Sequence, residues 1–138
     1  MKKVIFTLFV LATGFTGFAQ NGAKKSEDLV KFTEVRHNFG KIKQGVPVTH
    51  NFQFANIGNE PVIIETASAS CGCTTPTWPQ QPVMKAKTDK ITAGFNAAAP
   101  GPFEKTVFVK IKGVDVPLEL KISGEVLSAA DYDKQVKK

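Results

Sequence analysis

An all-β sandwich is the fold this sequence predicts, and three observations predict it. First, apolar and polar residues alternate with period two. Val48, His50, Phe52 and Phe54 share one face against Thr49, Asn51 and Gln53, and Val116, Leu118, Leu120 and Ile122 alternate with Glu119, Lys121 and Ser123. That period is the mark of a half-buried strand, whose successive side chains point to opposite faces. Second, the alternating runs are separated by clusters of Gly, Pro and Asn, the residues that turns demand. Third, no stretch sustains the 3.6-residue period of a helix. Short antiparallel strands at fairly regular spacing in a chain of 138 residues describe an immunoglobulin-like β-sandwich of about seven strands.

The chain divides into four parts. Lys2 and Lys3 precede an apolar run from Val4 to Phe18, and Gly17 and Ala19 put small residues at −3 and −1 of a cut after Ala19. This is the pattern of a secretory signal peptide over residues 1–19. The run is shorter than the ~20 apolar residues that spanning requires, and Thr7, Thr13, Gly14, Thr16 and Gly17 interrupt it. The mature chain is therefore expected to start at Gln20, to carry no transmembrane helix and to be exported to the periplasm or beyond. Residues 20–29 are polar, with Lys24-Lys25 before Ser26-Glu27-Asp28, and read as a flexible leader. Residues 30–127 form the sandwich domain. Residues 128–138 are polar, bury little and are expected to be a disordered tail.

Within the domain, Val30, Phe32 and Val35 open a first strand, which Asn38-Phe39-Gly40 closes. The alternating run from Val46 is the second, and Asn56-Ile57-Gly58-Asn59-Glu60-Pro61 ends it. Pro61-Val62-Ile63-Ile64 starts a third strand, Pro being tolerated at a strand's first position. It runs toward Ala69 and delivers the chain to Ser70-Cys71-Gly72-Cys73-Thr74. Pro76, Pro79 and Pro82 then forbid a central strand and predict an ordered loop or edge segment held by Trp78. Ile91, Ala93 and Phe95 make another strand, and Ala97 to Pro102 reads as a loop. The runs Phe103–Ile111 and Val116–Ile122, joined by Gly113-Val114-Asp115, read as a hairpin.

Charge excludes one class of partner. The formal net charge is +6, and two of those charges leave with Lys2 and Lys3. The remaining cations are scattered over strand positions and the tail rather than clustered in the stripe that phosphate binding needs. No nucleic-acid partner is expected; the expected partner is a protein. Catalytic constellations are missing as well. Two histidines, no Gly-x-Ser-x-Gly and dispersed carboxylates leave no acyl-transfer or glycosidase site to place. The reading is of a non-enzymatic module with no cofactor.

Several strings together resemble a known family. His37-Asn38-Phe39-Gly40, then Phe52-Gln53-Phe54-Ala55-Asn56-Ile57-Gly58-Asn59-Glu60-Pro61, then Cys71-Gly72-Cys73-Thr74 and Gly101-Pro102-Phe103-Glu104-Lys105-Thr106 are similar to domain of unknown function 1573. The resemblance runs from about Phe32 to Val126. It implies an exported bacterial immunoglobulin-like sandwich, similar to modules that bind other proteins, and it implies no activity. One departure stands out. Where the family usually has a Pro-Gly turn, this chain has Ala86-Lys87-Thr88-Asp89, which predicts a longer or differently shaped turn.

Cys71 and Cys73 are the only cysteines. In an oxidising compartment two thiols this close pair readily, and Gly72 supplies the bend that brings their Cα atoms into the roughly 4.4–6.8 Å that a disulfide wants. The gain in stability is small, about 1.6 kcal/mol from the loop-entropy relation before ring strain. Stapling alone is thus a weak reason for the motif, and three roles stay open. The pair shapes a rigid binding loop with Thr74, Thr75 and Trp78 beside it. Or it is an accessible disulfide that exchanges with partner thiols. Or its thiolates hold a soft metal, most naturally Cu(I), with His37, His50 or Met84 as further ligands. Each of those three has a plainer reading. His50 shares a face with Val48, Phe52 and Phe54, which suits a hydrogen-bonded histidine at the edge of the core, and His37 and Met84 lie at a strand end and near a loop.

Overall fold

The computed structural model describes residues 22–137; the segment read as a signal peptide lies outside them. Eight strands form two four-stranded sheets. They are β1 (Val30–Phe32), β2 (Arg36–Lys43), β3 (Val48–Asn56), β4 (Ile64–Ala69), β5 (Thr74–Thr77), β6 (Thr88–Phe95), β7 (Gly101–Ile111) and β8 (Leu118–Leu127). One sheet has the order β1-β3-β6-β5 and the other β2-β8-β7-β4. All neighbours are antiparallel except β2 and β8, which run parallel. The architecture is the sandwich the alternation predicts, with eight strands rather than seven.

The period-two pattern decides what the sheets enclose. Phe52, Phe54, Ile91, Val107, Val109, Leu120 and Ile122 all face inward and are essentially solvent-free. Each such side chain contributes roughly 1.5–3 kcal/mol relative to exposure, and together they hold the sheets face to face. Asn56 is the one large polar side chain among them. Its Nδ2 donates to Glu60 O and Val83 O, both at 2.8 Å, and its Oδ1 accepts from Gly58 N at 2.9 Å. The side chain ties the end of β3 to the loop before β6, and burial costs it nothing because its hydrogen-bonding capacity is met.

Four expectations need correction. The segment Val30–Gly40 is not one strand. Inward-facing Val30 and Phe32 are even-numbered, whereas His37 and Phe39 are odd, because the chain leaves the first sheet at Thr33 and joins the second at Arg36. The third strand starts at Ile64, while Val62 forms only an isolated bridge with Val83. β7 begins at Gly101, not Phe103; Pro102 fits there because β4 pairs β7 only as far as Val107, leaving that edge of β7 open. β8 begins at Leu118 rather than Val116, whose side chain is exposed in the turn before it. α1 (Ser26–Leu29) is a single helical turn, and α2 (Ala129–Val136) is a two-turn helix. Ser128 caps α2, its Oγ accepting from Asp131 N, and Lys43 pairs with Asp133 at 2.9 Å.

The substituted turn has a simple geometry. Ala86 takes φ +62°, the left-handed conformation that glycine adopts without penalty. Its N–H donates to Asn56 O, and Lys87 N donates to Met84 O. The backbone thus turns before β6 without a glycine.

Candidate functional site

The chain passes between the sheets at two places that matter for chemistry, on opposite sides of the sandwich. The β4–β5 crossing is residues 70–73, on the side where β4 and β5 are the sheet edges. The β1–β2 crossing is residues 33–35, on the side where β1 and β2 are the edges.

At the first crossing Cys71 and Cys73 are joined as a disulfide, their Cα atoms 5.3 Å apart. Backbone bonds fix the turn around them. Ser70 N donates to Thr106 O, Thr74 N to Cys71 O, and Asn96 N to Cys73 O at 3.1 Å. Thr106 N donates in return to Ser70 Oγ. Cys73 packs against the core, whereas Gly72 projects into solvent. Beyond the turn β5 is an edge strand, paired only with β6. Thr74 is buried, Thr75 and Thr77 face solvent, and Trp78 lies half-buried against the core. Pro76 within an open edge strand removes one N–H from it, a common defence against unwanted pairing. Gly94 lies behind this edge, and a Cβ there would sit 2.9 Å from Thr75 Oγ1. A shallow cavity of about 210 Å³, lined by Cys73, Asn96, Pro100, Lys105 and the stacked rings of Phe95 and Phe103, adjoins the disulfide.

The second crossing assembles a cluster. β1 borders the edge of β3 only from Phe54 to Asn56, so the edge of β3 beside His50 is left open. The crossing chain brings Glu34 over that opening, and β2, docked on β8 with His37 opposite Ile122, carries the second histidine to it. The two imidazoles stack with centroids 3.6 Å apart and planes within 6°. Phe39 meets His37 edge-on, and Phe52 meets His50 in the same way. A carboxylate only accepts, so His50 Nε2 carries the proton and donates to Glu34 Oε1 at 2.7 Å. His37 Nδ1 lies 3.9 Å from Glu34 Oε2. Desolvation first, and the neighbouring His50 second, lower the pKa of His37 from the ordinary histidine value, with Glu34 pulling weakly the other way.

The sequence-derived ligand set of Cys71, Cys73, His37, His50 and Met84 does not assemble. The cysteines are oxidised and lie on the far side of the sandwich from the histidines. Met84 is exposed in the loop between β5 and β6. Only His37 and His50 come together, and the residue that joins them is Glu34. Sequence reasoning passed over Glu34. Its one local signal is the i,i+3 spacing to His37 at the point where the apolar parity slips.

The comparisons with known proteins agree with this fold. Residues 30–126 match the family model of a protein of unknown function (DUF1573), and the chain belongs to that family. No curated protein matches the sequence significantly. Among solved structures, the PapD-like domain 7 of human CEP192 superposes with TM-score 0.62 at 12% identity, covering 84% of this chain and 97% of that one. A Porphyromonas gingivalis W83 protein of unknown function gives 0.60 at 8% identity, over 70% of this chain and 46% of that one. The secreted serine protease VesC of Vibrio cholerae gives 0.59 at 11%, over 80% and 25%. This chain therefore spans less than half of the Porphyromonas protein, and likeness at such identities shows the fold alone.

Proposed function

We propose that the protein is an exported, non-catalytic binding module of a bacterial envelope and that the segment from Cys71 to Trp78 contacts a protein partner. One observation carries this reading: a disulfide-closed turn leads directly into a solvent-facing edge strand. The closed turn and its backbone bonds hold Thr75, Thr77 and Trp78 in one arrangement before any partner arrives, which lowers the ordering cost of binding. Sheet edges are also where extended partners add. Pro76 restricts such pairing to part of the strand and favours contact through side chains.

The test is a photo-crosslinking residue placed at Thr77 in the full-length protein in envelope preparations. A discrete adduct is expected, and Trp78→Ala should abolish it while leaving the thermal midpoint within a few degrees. Adducts unchanged by both Trp78→Ala and Thr75→Ala in folded protein would refute the assignment. Intact mass of the purified protein checks export, since a chain beginning at Gln20 is expected.

A second reading draws on the half-exposed position of Cys71. In it a partner thiolate attacks Cys71 Sγ, the S–S bond breaks and Cys73 leaves as thiolate. In the reverse exchange, Cys73→Ser leaves Cys71 as a free thiolate that would attack a partner's disulfide, expel that partner's second sulfur as thiolate and remain trapped in the mixed disulfide. A Cu(I) site on this pair would require prior reduction of the disulfide and would find no histidine beside it.

A further inference from the structure

We infer that Glu34, His37 and His50 form a binding site for a divalent transition-metal ion of borderline softness, with Zn²⁺ as its representative. Among the described residues these three are the one grouping of metal-ligating side chains, and their donor atoms all lie within 4.8 Å of one another. Two imidazoles and a carboxylate are a donor set that zinc accepts with a fourth position left for water, and imidazole equally suits Cu²⁺ and Ni²⁺.

Three features of the fold point the same way. The residues come from three separate pieces of chain: β2, β3 and the crossing before β2. The site is half-open, with His37 and His50 side chains 29% and 19% exposed and Glu34 42% exposed, so an ion can enter and keep a water. One carboxylate faces nitrogens of both rings, its Oε1 at 2.7 Å from His50 Nε2 and its Oε2 at 3.9 Å from His37 Nδ1. A hydrogen-bonded His–Glu pair accounts for His50 alone; His37 packs on His50 and Phe39 while its Nδ1 faces the same carboxylate.

Binding requires a defined rearrangement. Donor lone pairs lie in the ring planes, so two rings within 6° of parallel cannot both aim at one ion. Ligand bonds of about 2.0–2.1 Å in a tetrahedron place donor atoms about 3.3 Å apart. The rings must therefore tilt out of their stack, the Nε2 proton of His50 must move to Nδ1 through solvent, and the carboxylate then exchanges its contact with His50 for the metal. His37 lies on the edge strand β2, where a ring rotation displaces little. The ion would then join the two sheets across the side that β1 leaves open.

The experiment is a calorimetric titration of Zn²⁺ into untagged, chelator-treated, disulfide-intact protein, with His ring NMR resonances followed in parallel. The expected result is one Zn²⁺ per chain with Kd below about 10 µM, a raised thermal midpoint, and shifts in both histidine rings. Glu34→Gln and His37→Ala should each weaken binding at least about tenfold, the loss seen even for residues that merely orient a ligand. Glu34 is exposed, so its variant keeps the fold. Cys71→Ser/Cys73→Ser should bind as tightly as the parent. Failure of the folded parent protein to bind at Zn²⁺ concentrations of about 100 µM, or binding that survives both Glu34→Gln and His37→Ala, would overturn the assignment. Binding lost only in the cysteine variant would do the same by moving the site to the other crossing.

Discussion

The β4–β5 and β1–β2 crossings do the same topological job by different means. The first is closed by local chemistry: a disulfide between residues i and i+2 and backbone bonds to strands on both sides. The second has no covalent closure. Its place is set by where β1 ends on β3 and where β2 docks on β8, and its side chains meet only after those dockings exist. The first crossing therefore adds a covalent bond between near neighbours to its bonds with Thr106 and Asn96, whereas the second is held only by what lies next to it in space.

The largest effect that would expose this difference is at Gly124, on β8 beneath β2. A Cβ there would sit 2.8 Å from Gly40 O and 2.9 Å from the Phe103 ring. Neither neighbour is the free end of a flexible side chain. Gly40 occupies the irregularity where β2 slips register between Asn38 and Lys41. Gly124→Ala should cost about 1–3 kcal/mol, seen as a lower urea midpoint at unchanged m. The same substitution should disturb the His37 and His50 ring resonances through Gly40 and β2, and leave the backbone amides of Ser70 and Gly72, outside the cavity that Phe103 lines, near their parental positions. Equal disturbance at both crossings would dissolve the distinction.

The next effect is at the disulfide. Cys71→Ser/Cys73→Ser removes at most about 1.6 kcal/mol of loop-entropy stabilisation. The bonds from Ser70, Thr74 and Asn96 remain to hold the turn, so disorder of the native turn should add little to that figure. A loss above about 3 kcal/mol would mean that the disulfide, and not its surroundings, sets the path of the chain.

The same contrast explains which parts were legible in the sequence. The strands with clean alternation, the β7–β8 turn at Gly113 and the edge position of Thr74–Thr77 all follow from local pattern. So does the cysteine turn, which follows from the i,i+2 spacing of Cys71 and Cys73; Gly72 has neither a positive φ nor a neighbour that a Cβ would meet. The split at Thr33–Val35 carries no Gly, Pro or Asn, and only the slipped parity between Phe32 and His37 records it. The Glu34–His37–His50 cluster depends on that split and on the register of β2 against β8, neither of which a single strand's composition contains. Helix α2 was missed for another reason. Ser128 followed at three residues by Asp131 is a capping signal, but composition alone made the segment look like a tail.

The smallest effect concerns the loop that carries the chain from β5 back to β6. Ala86 sits at φ +62°, where an L residue with a Cβ is disfavoured by about 1–2 kcal/mol. Glycine there removes that strain but raises the entropy of the unfolded chain, at a cost of about 0.4–1 kcal/mol. Ala86→Gly should therefore stabilise the domain by about 0–1.6 kcal/mol, a small upward shift in the urea midpoint. The sign is informative because Ala86 N and Lys87 N already have their backbone acceptors in Asn56 O and Met84 O. With those bonds kept in the variant, only strain and chain entropy differ. Destabilisation would show that the exposed Ala86 methyl contributes through contacts, and that this turn, like the β1–β2 crossing, is held from outside its own sequence.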